Sequence, residues 1–128
     1  MKLLLDTHAL LWWWKSDSRL SKRAAEAMTD ENNEILVSAA SAWEIATKHR
    51  LGKLPGVERA IREFHDLVVA DGFTHLAVSY RHALLAGGYS AAHRDPFDRM
   101  LAAQSEIEDA LLVTDDAAMS GLGVKTYW

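Results

Sequence analysis

The chain has 128 residues, 14 Lys and Arg against 18 Asp and Glu, a formal net charge of −4 and no cysteine. That length suits a single domain, 1–128, with one real core, and the acidic balance excludes a protein that coats nucleic acid through bulk positive charge while leaving room for a local basic patch. The missing cysteines exclude disulfides and thiolate metal ligands, and they make a reducing cytoplasm the expected location.

The opening run, MKLLLDTHALLWWWK, is broken by Asp6 too early for the apolar stretch of a signal peptide. No segment approaches the roughly 20 apolar residues that span a bilayer, so no membrane association is expected. Residues 2–5 (KLLL) form the first predicted strand, followed by a predicted helix over 21–30 and a strand over 34–38 (EILVS). A helix is expected over 39–51 and another over 57–71, where Val57, Ile61, Phe64, Leu67 and Val68 make one apolar stripe. A strand over 75–79, helices over 80–86 and 96–109, a strand over 111–114 and a weaker one over 123–127 complete the chain. The strands are continuous rather than alternating apolar runs, as a sheet covered on both faces requires. Their alternation with helices predicts a three-layer α/β/α sandwich around a mostly parallel five-stranded sheet. In such sheets ligands bind beyond the carboxyl ends of the strands.

Acidic residues gather at those ends. Asp6 follows the first strand directly, and Asp115 and Asp116 follow LLVT. An Asp at such a position also suits a helix N-cap. Glu44 lies in Ala39-Ala40-Ser41-Ala42-Trp43-Glu44-Ile45-Ala46, with little polar surface before Lys48; a carboxylate there is partly buried and needs a partner. In Asp95-Pro96-Phe97-Asp98, Pro96 fits the first helical position, Asp95 the cap, and Asp98 the positive end of the helix dipole. Phe97, Met100, Leu101 and Gln104 would mark the buried stripe. Asp98 would face a cleft beside it, with Ala102 and Ser105 on its side.

Four carboxylates drawn together need a counter-charge, since two unit charges about 4 Å apart repel by roughly 4 kcal/mol at an effective dielectric near 20. Oxygen ligands without cysteine or paired histidines favour Mg²⁺, or Mn²⁺, over Zn²⁺. An ion of that kind, bound also by phosphate oxygens, suits phosphodiester hydrolysis.

Four segments, LLLDTHALLWW at 3–13, SAWEIATKHRLGKL at 41–54, HRDPFDRMLAAQ at 93–104 and LLVTDDAAM at 111–119, resemble the PIN-domain family, and within it the VapC-type toxins of prokaryotic toxin–antitoxin pairs. The resemblance runs over essentially the whole chain in the family's order. It implies a five-stranded parallel sheet, Mg²⁺- or Mn²⁺-dependent cleavage of RNA, a cognate antitoxin that blocks the site, and a homodimer. Carried over by position, it implies Asp6, Glu44, Asp98 and Asp116 as the catalytic, metal-holding acids, with Thr114 in support. Asp95 and Asp115 are additional acids, candidates for a supporting place in the metal shell.

Lys48, His49, Arg50 and Lys53 cluster at the end of the Glu44 helix, while Arg94 and Arg99 flank the Asp98 motif. Cations there complement a helix dipole, and they also suit RNA phosphates, for which Lys48, Arg94 and Arg99 are the candidates. Trp43 is expected in the core. Trp12, Trp13 and Trp14 are consecutive, so one helix face cannot bury all three and at least one is expected exposed, for base stacking or a protein interface; the family resemblance favours the interface. The histidines show no metal-ligand spacing, although His8 and His93 lie near the acids.

Three rivals differ in class. A catalytically silent binding module of the same fold needs none of the acids, and all four are present. A phosphoacceptor receiver domain needs an acidic pair after the first strand and a reactive Asp at the end of the third, where this chain has Asp6-Thr7 and Val78-Ser79. A different metal phosphatase, or a metal-dependent nuclease acting on DNA, has the same metal site, which does not read the sugar; matched RNA and DNA oligonucleotides separate this rival from a ribonuclease.

Overall fold

The computed structural model describes residues 1–90 and 92–128. Its strands are β1 (Lys2–Leu5), β2 (Glu34–Ser38), β3 (Thr74–Leu76), β4 (Leu111–Val113) and β5 (Thr126–Tyr127). They form one sheet in the order β3-β2-β1-β4-β5, and every pairing is parallel. The helices are α1 (Thr7–Trp14), α2 (Lys22–Thr29), α3 (Ala39–Arg50), α4 (Glu58–Arg62), α5 (Phe64–Ala70), α6 (Tyr80–Gly88) and α7 (Pro96–Ile107), with a 3₁₀ helix at Ala117–Leu122.

Alternation along the central strands divides the core in two. Leu3 and Leu5 of β1, with Ile35, Val37 and Val113, pack against α1, α2 and Val68 of α5. Leu4, Leu36 and Leu112 point the other way, against Leu101 and Ala102 of α7 and Met119 and Leu122 of the 3₁₀ helix. This is the expected three-layer α/β/α sandwich. Among the described residues, no helix is long and apolar enough to cross a membrane.

The predicted helix over 57–71 is two helices. The backbone leaves helical geometry at Glu63 (φ −113°, ψ 21°), so the apolar stripe does not continue across the break. Val57 and Val68 are buried, but Ile61 is 37% exposed. The third strand is also shorter than expected and begins one residue earlier, while the turn after Asp116 winds into a 3₁₀ helix with no apolar periodicity to announce it.

Two expectations about tryptophan are overturned. Trp12, Trp13 and Trp14 are all half-buried, because other segments cover the helix surface between faces. Asp71 Oδ2 accepts both the Trp13 and Trp14 indole N–H groups, at 3.1 and 2.8 Å, and the Trp12 ring packs on His8 and Trp128. Trp43, expected in the core, is 59% exposed. The buried side of α3 runs through Ala40, Ser41, Glu44 and Ile45, which leaves Trp43 outside it.

Buried polar groups fix α3 and α7 to the sheet. Ser38, the last residue of β2, caps α3 by accepting from Ala40 N at 2.9 Å and donates to Gln104 Oε1 at 2.5 Å. The Gln104 amide reaches Ala77 O at 3.3 Å. The elements carrying Glu44 and Asp98 are thus tied to the end of one strand.

Candidate metal and nucleic-acid site

In this strand order the chain runs outward from β1 through β2 to β3, then crosses back to place β4 on the other side of β1. The carboxyl ends of β1 and β4 flank the crevice where such folds bind ligands. Asp6 and Thr114 sit there, each immediately after its strand.

Asp6 caps α1, its Oδ1 accepting from Ala9 N at 2.7 Å. Its own N–H donates to Val113 O at 3.0 Å, which locks it to the end of β4. Burial pushes the Asp6 carboxyl up from its ordinary 3.8 to about 6, with hydrogen bonds from Thr114 and Ala9 opposing and the charge of Asp115 adding to the rise. Thr114 is buried and accepts from Asp116 N at 3.1 Å. Asp116 itself is exposed and caps the 3₁₀ helix through Ala118 N at 2.9 Å. Asp115 and Asp116 are both exposed after β4, and the charge of Asp115 is felt at Asp6.

Glu44 is 4% exposed. Its Oε1 accepts from the Thr7 hydroxyl at 2.5 Å, and Lys48, one turn along α3, donates to Oε2. The Thr7 hydroxyl also lies 3.1 Å from Ser41 Oγ. Since Thr7 follows Asp6, this contact brings β1's acid and the α3 acid to the same place. Desolvation lowers the Lys48 pKa, but Glu44, Asp95 and Asp98 more than offset it and hold the ammonium charged.

Asp98 lies in the first turn of α7. Asp95 Oδ1 caps this helix, accepting from Phe97 N at 2.9 Å and Asp98 N at 3.1 Å, so Asp95 does the work expected of it. His93 Nε2 lies 2.9 Å from Asp98 Oδ2 and donates to it when the carboxylate is ionised. Burial raises the Asp98 pKa, the His93 bond opposes this, and the charges of Asp95 and Glu44 add to it. Asp98 is only half-buried, but Ala102 and Ser105, expected beside it on the cleft, are fully packed. The cleft therefore reaches only the first turn of the helix.

The cations part company. Lys48 is committed to Glu44. Arg99 is turned inward rather than toward a substrate: Nε donates to Ala86 O at 2.9 Å, Nη1 to His93 O at 2.9 Å, and Nη2 to Tyr89 O at 2.6 Å and Gly87 O at 3.3 Å. It stitches the end of α6 to the segment leading into α7, which is a structural use of the guanidinium fork. Arg94 is exposed. Thr7 is the site residue that sequence reasoning missed, although it adjoins a predicted acid; His93, noted only as lying near the acids, is the partner of Asp98.

The donors suit a hard divalent cation, being carboxylate oxygens that burial and mutual repulsion have left short of positive charge. Among the described residues, no group of three or more His, Cys, Asp or Glu is arranged to hold a metal ion. Thr7 and Lys48 occupy both Glu44 oxygens. Magnesium does not require such a cage, because it keeps several waters and binds through one or two carboxylates together with substrate phosphates. By donor chemistry Asp6 and Asp98 suit that role, while Glu44 is taken up within the chain.

Comparison with known proteins agrees with this architecture. Over 53 residues the chain is 47% identical to Ribonuclease VapC16 of Mycobacterium tuberculosis (strain ATCC 25618 / H37Rv), a match covering 41% of this chain and 38% of that relative. The structure of VapBC-1 from nontypeable Haemophilus influenzae superposes with a TM-score of 0.71 at 19% identity, covering 99% of this chain and 97% of that one. VapBC2 from Rickettsia felis, bound to a DNA fragment from its promoter, gives 0.69 at 16% identity, covering 98% and 96%. FitAcB from Neisseria gonorrhoeae gives 0.67 at 16%, again covering 98% and 96%. These structures share the fold. The PIN domain family model matches residues 3–125, a span that includes all four acids, and the chain belongs to the PIN-domain family.

Proposed function

We propose that this protein is a ribonuclease that hydrolyses RNA phosphodiester bonds with Mg²⁺ or Mn²⁺, and that it is the toxin of a toxin–antitoxin pair whose partner protein restrains it. The carrying observation is the gathering of carboxylates: Thr7, which follows Asp6, donates to the buried Glu44, the charges of Glu44 and Asp95 bear on Asp98, and burial raises both Asp6 and Asp98. Acids held in that condition lack a counter-charge, and a divalent ion that also binds a substrate phosphate supplies it. The likeness to Ribonuclease VapC16, and a fold shared with proteins solved as VapBC complexes, support the substrate and the partner.

In this reading Asp6 and Asp98 hold the ion, His93 orients Asp98, and Thr7 and Lys48 fix the Glu44 carboxylate behind them. Thr114 steadies Asp6 and keeps the Asp115-Asp116 turn against the crevice. When bound, the ion activates a water and neutralises charge gathering on the phosphate. Arg94 is placed to grip a flanking phosphate. A homodimer remains part of the proposal through the family.

The rival of a silent binding module draws on one observation, that Lys48 already compensates Glu44 from within the chain. Cleavage of a mixed RNA pool and of matched DNA decides between them, using protein freed of partner with Mg²⁺, with Mn²⁺ and with chelator, beside Asp6→Asn and Asp98→Asn. Metal-dependent cutting of RNA alone, lost in both variants, is the expected result. Equal cutting of DNA would move the assignment to a DNA nuclease; no cutting, and no divalent-ion binding by calorimetry, would leave the binding module.

A further inference from the structure

The exposed Trp43 sits where α3, which carries Glu44, meets α7, which carries Asp98. It precedes Glu44 on α3, and its ring meets that of Phe97 edge to face, with centroids 4.7 Å apart and planes at 71°. Phe97 is buried and immediately precedes Asp98 on α7. The indole is thus packed on a fixed ring where the two helices meet; Trp43 directly precedes Glu44, and the ring it packs on directly precedes Asp98. Lys48 Nζ lies 5.9 Å from the same Phe97 ring centre. The other four tryptophans are half-buried, so this one alone leaves most of its apolar area in water, an arrangement that costs free energy unless something covers it.

We propose that Trp43 is a substrate-positioning residue, the platform on which an unpaired RNA base next to the scissile phosphate stacks. This rests on the nuclease reading above and adds to it the side chain that grips the nucleotide. An indole face accepts any base, and stacking of this kind is worth about 1–3 kcal/mol. Single-stranded RNA offers such bases splayed from the helix. The charges of this region favour RNA over a protein partner: Arg94, four residues before Asp98, is exposed and attracts a phosphate backbone, while the Asp6 and Asp98 carboxylates need a cation that phosphates also bind.

The test uses intact protein freed of partner and short single-stranded RNAs carrying a cut site, with and without an abasic nucleotide beside the cut. Trp43→Ala is expected to raise KM about 5- to 150-fold, the equivalent of the stacking energy, with a much smaller change in kcat. Trp43→Phe restores most of the loss, because a smaller ring still stacks. An abasic neighbour raises KM for the unaltered protein and adds little for Trp43→Ala. Unchanged KM in an actively cleaving, folded Trp43→Ala protein overturns the platform and leaves the nuclease standing. Loss of a protein partner's binding with RNA kinetics intact overturns it in favour of a protein contact. If nothing is cleaved, fluorescence anisotropy with the same RNAs decides: weaker binding by Trp43→Ala sustains the platform without the nuclease, and equal or absent binding overturns it.

Discussion

Lys48 and Glu44 form an ion pair across one turn of α3 in which the Glu44 side chain is buried and the Lys48 side chain keeps about a third of its surface, with exposures of 5% and 30%. The pair cannot be judged by its Coulomb attraction alone, since removing one partner of a buried pair strands the other. Lys48→Met is therefore expected to destabilise the fold by about 2 kcal/mol, below the full cost of a wholly buried pair because Lys48 meets water. Adding Glu44→Gln to that variant should recover part of the loss. Urea denaturation of the single and double variants measures both effects.

Asp6 makes stability depend on pH in a definite direction. Its folded-state pKa, about 6, lies above its ordinary 3.8, so the folded chain holds the proton more tightly than the unfolded one. The stability this contributes is present below 3.8 and is lost as pH rises through about 6. A difference of this size amounts to about 2 kcal/mol once the open side of the carboxyl is allowed for. Asp6→Asn should accordingly stabilise metal-free protein at pH 7 and flatten this part of the profile. Thermal melts from pH 4 to 8 check it, and Mg²⁺ should raise Tm at pH 7 in the unaltered protein but not in Asp6→Asn.

Asp95 and Asp98 should separate cleanly. Asp98→Asn is expected to abolish cleavage with the fold intact, because the variant keeps shape and loses charge at the ion. Asp95→Asn should lose activity only mildly, since asparagine caps helices as well as aspartate does. Asp95→Ala should cost about 1 kcal/mol through the freed Phe97 and Asp98 N–H groups. If Asp95→Asn is as inactive as Asp98→Asn, then Asp95 belongs with the metal.

Arg94 and Arg99, five residues apart, should respond in opposite ways. Arg99→Lys forfeits the fork that serves the ends of α6 and the loop before α7, and should cost about 2 kcal/mol of stability. Arg94→Ala should leave stability unchanged, weaken RNA binding evenly across sequences, and reduce its salt slope by about 1. A salt series of binding isotherms beside denaturation curves distinguishes them.

The parts legible in the sequence share a physical cause. Buried parallel strands need unbroken apolar runs, so β1, β2 and β4 stood out, and Asp6 stood out because it ended one. Pro96 after Asp95 marked the start of α7 for the same kind of reason, a local requirement of the backbone. Trp43 and Arg99 were misplaced because their surroundings come from distant segments: Phe97 meets one, and the carbonyls of α6 meet the other. The break at Glu63 was hidden because apolar spacing continued through it. His93 could not be read as the partner of Asp98 from composition, since the bond depends on how the loop returns to the helix.

β1 has a further consequence, in the order of events as the chain is made. This strand lies between β2 and β4, and Asp6 receives its anchor from Val113 and its hydrogen bond from Thr114. β1 therefore waits until the chain has been made through Val113 and Thr114 before its acid is set in place. Until Leu111–Val113 arrive, β1 has an open edge and the crevice has one wall. A nascent or truncated chain ending before that point would contain Asp6, Glu44 and Asp98 without the site they form together.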